Sequence, residues 1–167
     1  MERLADRLDG IHLRVRAPGT EIYGELRHQR DVGITFGQDV YRWTNESTLE
    51  RALVAVARLL SAGWAREYHA ALRAAGLEVF PPPQLRDPEY EQEKSRIEAI
   101  GMSANGRVTI VAIGLREFAA RIAPGTVREL SEQEFTASVR DAAAAFVASH
   151  LAGLRELQRR YVDQRGR

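Results

Sequence analysis

The sequence predicts an α+β protein of two tandem units, each an antiparallel β-meander followed by an amphipathic helix, packed together as an intramolecular pseudo-dimer. Three observations predict it. Apolar and polar residues alternate through two sets of three short segments, the period of half-buried strands. An S-x-x-E signature precedes each of two long apolar stripes, as at a capped helix start. The stripes also match in register: Phe135, Val139, Ala142 and Phe146 lie 86 positions after Leu49, Leu53, Val56 and Leu60. Two such units can bury together the faces that neither buries alone.

Taken in order, Ile11, Leu13, Val15 and Ala17 alternate with His12, Arg14 and Arg16, which predicts a strand with one wet face. Pro18-Gly19 marks a turn. Ile22, Gly24 and Leu26 then alternate with Tyr23, Glu25 and Arg27, and Val32, Ile34 and Phe36 form a third strand after the polar break at 29–31. Ser47-Thr48-Leu49-Glu50 has the capping-box form and predicts a helix start. Leu49, Leu53, Val56, Leu60 and Trp64 give it one apolar stripe, Gly63 marks a close approach, and Gly76 is its terminator.

Pro81-Pro82-Pro83 cannot continue a helix and sets the boundary between units. The expected division is therefore 1–80, a Pro-rich linker and short polar helix over 81–95, and 96–167. Asp87-Pro88 is an N-cap followed by proline at the first helical position, so the short helix runs towards Lys94. Segments 96–103 and 107–116 flank the turn Ala104-Asn105-Gly106, and Phe118, Ala120 and Ile122 form the last strand before Pro124-Gly125. Ser131-Glu132-Gln133-Glu134 is the second capping box, and its helix extends through Leu154, Leu157 and Tyr161.

At 167 residues the chain can bury roughly 70% of its unfolded surface without staples. It has no cysteine, which removes disulfides, thiolate nucleophiles and Cys-type zinc sites. No apolar leader follows Met1, and no run reaches the ~18 apolar residues of a membrane span, so a cytoplasmic protein is expected. The formal charge is +1, and Lys94 is the only lysine, so net charge favours no partner class.

Arg51, Arg58, Arg66 and Arg73 are seven or eight residues apart and share an arc of about 80° on a helix. Such a row can follow a phosphate backbone; it can equally be a solvated face beside Glu50 and Glu67. Arg159 and Arg160, with Arg155, Arg165 and Arg167, make the C-terminal end basic, which suits either nucleic acid or a helix dipole. Trp43 and Trp64, with Tyr41 and Tyr68, bracket the first helix as core packing or as an interface with a protein partner or a homo-oligomer. His12, His28, His69 and His150 are scattered without ligand spacing, so no metal is expected. Phosphate loops, nucleophile elbows and catalytic lysine motifs are absent, so neither cofactor nor enzyme is expected; a deep pocket gathering Tyr23, His28 and acids would reverse that.

Residues 97–112, containing Asn105-Gly106-Arg107-Val108-Thr109-Ile110, with Ile122-Ala123-Pro124 and the capped helix after it, resemble the core of the YbaB/EbfC family of bacterial nucleoid-associated proteins. The resemblance covers residues 96 to about 150, and the first half matches more loosely. It implies meanders flanked by helices, dimer-like packing and DNA binding with little sequence preference. Related domains in actinobacterial type VII secretion imply a protein-interaction or scaffold role instead. The family's long leading helix is reduced to residues 2–9 in the first half and 88–94 in the second.

Overall fold

The computed structural model describes residues 3–77 and 87–166. A short helix α1 (Leu4–Asp9) precedes β1 (Leu13–Arg16), β2 (Ile22–Arg27) and β3 (Asp31–Phe36), then a single 3₁₀ turn at Tyr41–Trp43 and the long helix α2 (Glu46–Ala74). The second half comprises α3 (Pro88–Lys94), β4 (Glu98–Met102), β5 (Val108–Ile113), β6 (Glu117–Ile122), the one-turn α4 (Thr126–Glu129) and α5 (Glu132–Arg165). Strands pair antiparallel in the orders β1-β2-β3 and β4-β5-β6. The chain is therefore α+β, with two three-stranded meanders each followed by helices. The boundary predicted at Pro81-Pro82-Pro83 and the terminal Arg167 lie outside the described residues.

Local chemistry explains most helix ends. The Glu134 amide donates to Ser131 Oγ at 3.1 Å and the Ser131 amide donates to Glu134 Oε1 at 3.1 Å, so the second capping box forms as predicted. The first does not. α2 starts earlier because Asn45 caps it, its Oδ1 accepting from the Thr48 amide at 2.9 Å, which places Ser47 inside the helix and frees Glu50. Gly76 does terminate α2: at φ +71° it lets the Leu77 amide reach the Leu72 carbonyl and its own amide reach that of Arg73, both at 2.9 Å. Asp87 caps α3 through the Glu89 amide, with Pro88 at the first position.

Both predicted stripes turn inward. Leu49, Leu53, Val56 and Leu60 of α2 and Phe135, Val139 and Ala142 of α5 are buried in one apolar cluster that also contains Ile22, Ile34, Val108 and Ile122. α2 packs on β1 and β2 and also on β6; α5 packs on β4 and β5 and also on β3. Phe36, Tyr41 and Phe135 meet where the halves join, with ring centroids 5.4 to 6.1 Å apart.

On β4 the small residues Ala99 and Gly101 face α5, and Ile100 and Met102 face away. The helix approaches so closely that a Cβ on Gly101 would overlap the Ala142 carbonyl oxygen and the Phe146 amide nitrogen. Ser149 Oγ accepts from the Ile100 amide at 3.1 Å and the Asp141 carboxylate from the Ala104 amide, so α5 covers the strand's outer edge. Gly101→Ala should therefore cost about 3 kcal/mol, the upper range for overpacking against backbone. Gly19→Ala, with open space but φ +73°, should cost only about 1 kcal/mol. Urea midpoints at constant m distinguish them; equal losses would contradict the close approach.

Candidate binding surfaces

Arg51, Arg58, Arg66 and Arg73 all lie exposed on α2. Arg51, Arg58 and Arg66 have no acidic partner among the described residues. Glu67 is the only acid between Arg51 and Arg73, and at 100° per residue it falls off the row. The acids at the start of α2 point elsewhere. Glu46 Oε1 accepts from the Val127 amide at 3.1 Å and Glu50 Oε2 from the Ile122 amide at 3.2 Å, so both serve backbone donors of the second half. At its start α2 thus segregates its charges, with the Glu46 and Glu50 carboxylates in the seam between halves and the arginines of the row facing solvent. Glu46 is held below the usual carboxylate range by its own backbone amide and that of Val127, with burial opposing and Gly125 and Arg128 adding to the effect.

The C-terminal arginines are differently placed. α5 continues as helix to Arg165, so among the described residues there is no unstructured basic tail. Arg159 makes a two-pronged contact with Glu156 at 2.9 and 3.0 Å, Arg160 faces Glu93 at 3.6 Å, and Arg165 faces Asp87 at 3.8 Å. The acidic α3 docks beside this end of α5, with Tyr90 edge-on to Tyr161 at 5.1 Å, and supplies counterions. These pairs are exposed and individually weak, yet they neutralise the surface locally. The Glu156-x-x-Arg159 spacing was readable in the sequence; the partners on α3 were not.

The aromatic residues do not form one patch. Tyr41 is buried and its hydroxyl donates to the Leu130 carbonyl at 2.8 Å. Trp43 is 79% exposed, with the Arg42 guanidinium 5.4 Å from its ring centre. Trp64 is half-buried farther along α2, 6.1 Å from the partly exposed Tyr68. On the wet face of the first meander, Arg14 lies over Tyr23 at 4.5 Å and 3.8 Å from Glu25, which also meets His12 and Arg27. His28 pairs with Asp9 at 3.2 Å. Among the described residues, no group of three His, Asp or Glu is placed to hold a metal, and no helix is long and apolar enough to cross a membrane.

One surface went unpredicted. The outer face of the second meander presents Ile100 (58% exposed), Met102 (56%) and Ile113. The signal was in Ala99-Ile100-Gly101-Met102, where large residues alternate with small ones; strand period alone puts the large ones inward, and only the depth to which α5 sits on β4 reverses that. No family model matches the chain, nor does any curated protein or solved structure.

The Glu46 contact predicts a pH effect on the seam. Its folded pKa is depressed, so its contribution is fully present above the ordinary Glu value of about 4.3 and is lost as pH falls through the folded value. Glu46→Gln should flatten the acid limb of melting temperature against pH between about pH 5 and pH 3. An acid limb as steep as that of the unaltered chain would show that the carboxylate does not hold the seam.

Proposed function

We propose that the protein is a non-enzymatic binding protein, its tandem halves arranged as an intramolecular pseudo-dimer, that contacts the phosphate backbone of duplex DNA through the arginine row of α2 with little sequence preference. The observation that carries this is the exposed line of Arg51, Arg58 and Arg66, which has no acidic partner among the described residues. From Arg51 to Arg66 the row spans about 22 Å at 1.5 Å per residue. Over that length duplex DNA presents on the order of 13 phosphate charges, enough for three or four discrete contacts. The resemblance of residues 96–150 to the YbaB/EbfC core agrees with this mode. Arg159 and Arg160 contribute less, because Glu156 and Glu93 already face them.

A protein-binding or scaffold role is the second reading, favoured by the apolar outer face at Ile100, Met102 and Ile113 and by exposed Trp43.

Fluorescence anisotropy with a random-sequence duplex tests the choice. Log affinity should fall against log salt with a slope of about −3, since each phosphate contact contributes roughly −0.9. The combined Arg51→Gln, Arg58→Gln and Arg66→Gln variant should remove nearly all of that slope, and Arg159→Gln with Arg160→Gln should change it little. Absence of binding at about 50 mM salt, where counterion release favours association most, would reject the DNA reading and leave the apolar face as the working surface.

A further inference from the structure

A recess of about 320 Å³ opens between α2 and α5, over strands from both meanders. Its walls include Leu26, Trp64, Ile110, Phe118, Phe146 and Leu154. Protein interiors rarely leave voids larger than a water molecule, so a space of this size is not packing slack, and it reaches the lower end of small-molecule pockets. The polar groups near it are few and unequal. Ser61 donates its hydroxyl to the Leu115 carbonyl at 3.5 Å, and burial lowers the His150 pKa, so that imidazole is neutral near pH 7. At the rim, Gln29 and Arg30 are exposed. Arg30 has no acidic partner among the described residues, and the neighbouring Asp31 faces Arg140 at 3.4 Å.

One hairpin turn from each half closes on the recess, the first with His28 and Gln29 and the second with Leu115 in the left-handed region. Gln29 has φ +67° and Leu115 has φ +55°, and both line the recess. Glycine would adopt these conformations freely, whereas for a bulky residue such as leucine they are genuine outliers. Gln29 and Leu115 are both central residues of tight hairpin turns, closed by the Arg30 amide to the Arg27 carbonyl and by the Arg116 amide to the Ile113 carbonyl, a turn type that requires positive φ.

We propose that this recess binds a small amphiphile with one anionic head group, such as a medium-chain carboxylate, its apolar body among Trp64, Phe118 and Phe146 and its head at Arg30. The volume sets the size: at the ~30 Å³ taken by a water-sized group, the recess holds about ten non-hydrogen atoms. A polypeptide helix, 10–12 Å across with its side chains, does not fit. The unpaired guanidinium sets the sign of the head group, and the absence of any other free charge in the lining sets its number. The site is separate from the arginine row and does not depend on DNA binding.

The chain has two tryptophans, so a Trp43→Phe variant leaves Trp64 as the sole indole reporter. Full-length protein would be titrated below micelle-forming concentrations with sodium decanoate, decanol and decyltrimethylammonium. Decanoate should give a saturable change in Trp64 emission at one ligand per chain and raise the melting temperature, as a ligand of the native state must. Decanol should bind about tenfold more weakly, the worth of one charge-assisted contact. Arg30→Gln, on an exposed turn, should reduce decanoate affinity to the decanol level and leave decanol unchanged. Val147→Phe, or Ser61→Leu if that variant does not fold, should abolish binding with far-UV circular dichroism preserved. No saturable response to decanoate, equal binding of the cationic amphiphile, or undiminished binding in a folded, filled variant would each overturn the proposal.

Discussion

A three-stranded meander has one apolar face and two open edges, and a single helix laid on it leaves part of that surface wet. The chain meets this constraint by sharing its helices: α2 reaches β6 and α5 reaches β3, so each half completes the cover of the other. Polar contacts fix the arrangement. Glu46 and Glu50 of α2 accept the Val127 and Ile122 amides, Tyr41 donates to the Leu130 carbonyl, and Arg140 of α5 faces Asp31 of β3. Because buried or edge amides left unpaired are costly, these contacts select one seating of the halves where apolar packing alone would tolerate several.

Sharing the helices has consequences for both surfaces. Glu46 and Glu50 of α2 are drawn into the seam, while Arg51, Arg58 and Arg66 stay outside, with no acidic partner among the described residues. In the second half the deep seating of α5 on Ala99 and Gly101 turns Ile100 and Met102 outward. The outer faces of the meanders therefore differ, the first carrying the Arg14, Tyr23 and Glu25 network and the second an apolar patch. The recess is lined by α2, α5 and hairpin turns from both halves, so it too exists only in the joined molecule.

Local signals in the sequence were legible where they were decisive locally. Alternation in Ile22 to Leu26 and in Phe118 to Ile122, the Ser131 capping box, the Gly76 terminator and the Asp87-Pro88 start each correspond to an observed element end or strand. Gly63 does not mark a close approach: a Cβ there would lie 3.4 Å from a Leu13 methyl, an ordinary van der Waals contact. The Ser47 box misled because another cap, Asn45, stands two residues earlier, and Glu50 accepts from the Ile122 amide of the other half instead of its own helix end. α1 and α4 are too short to carry a periodic signal. The arginine row was visible as spacing, but that Arg51, Arg58 and Arg66 meet no acid from elsewhere in the fold among the described residues was not. The neutralised state of Arg160 and Arg165, the recess and the outward Ile100 all depend on contacts across long sequence separations, which no window of sequence reports.

If the halves share one core, they must lose it together. Urea unfolding followed by Trp64 emission in the Trp43→Phe chain, which reports α2, and by hydrogen exchange of the β5 amides, which reports the second meander, tests this directly. The shared core predicts one coincident transition with a single midpoint and an m-value proportionate to the whole chain. Two separated transitions, with the first half melting while the β5 amides remain protected, would contradict it.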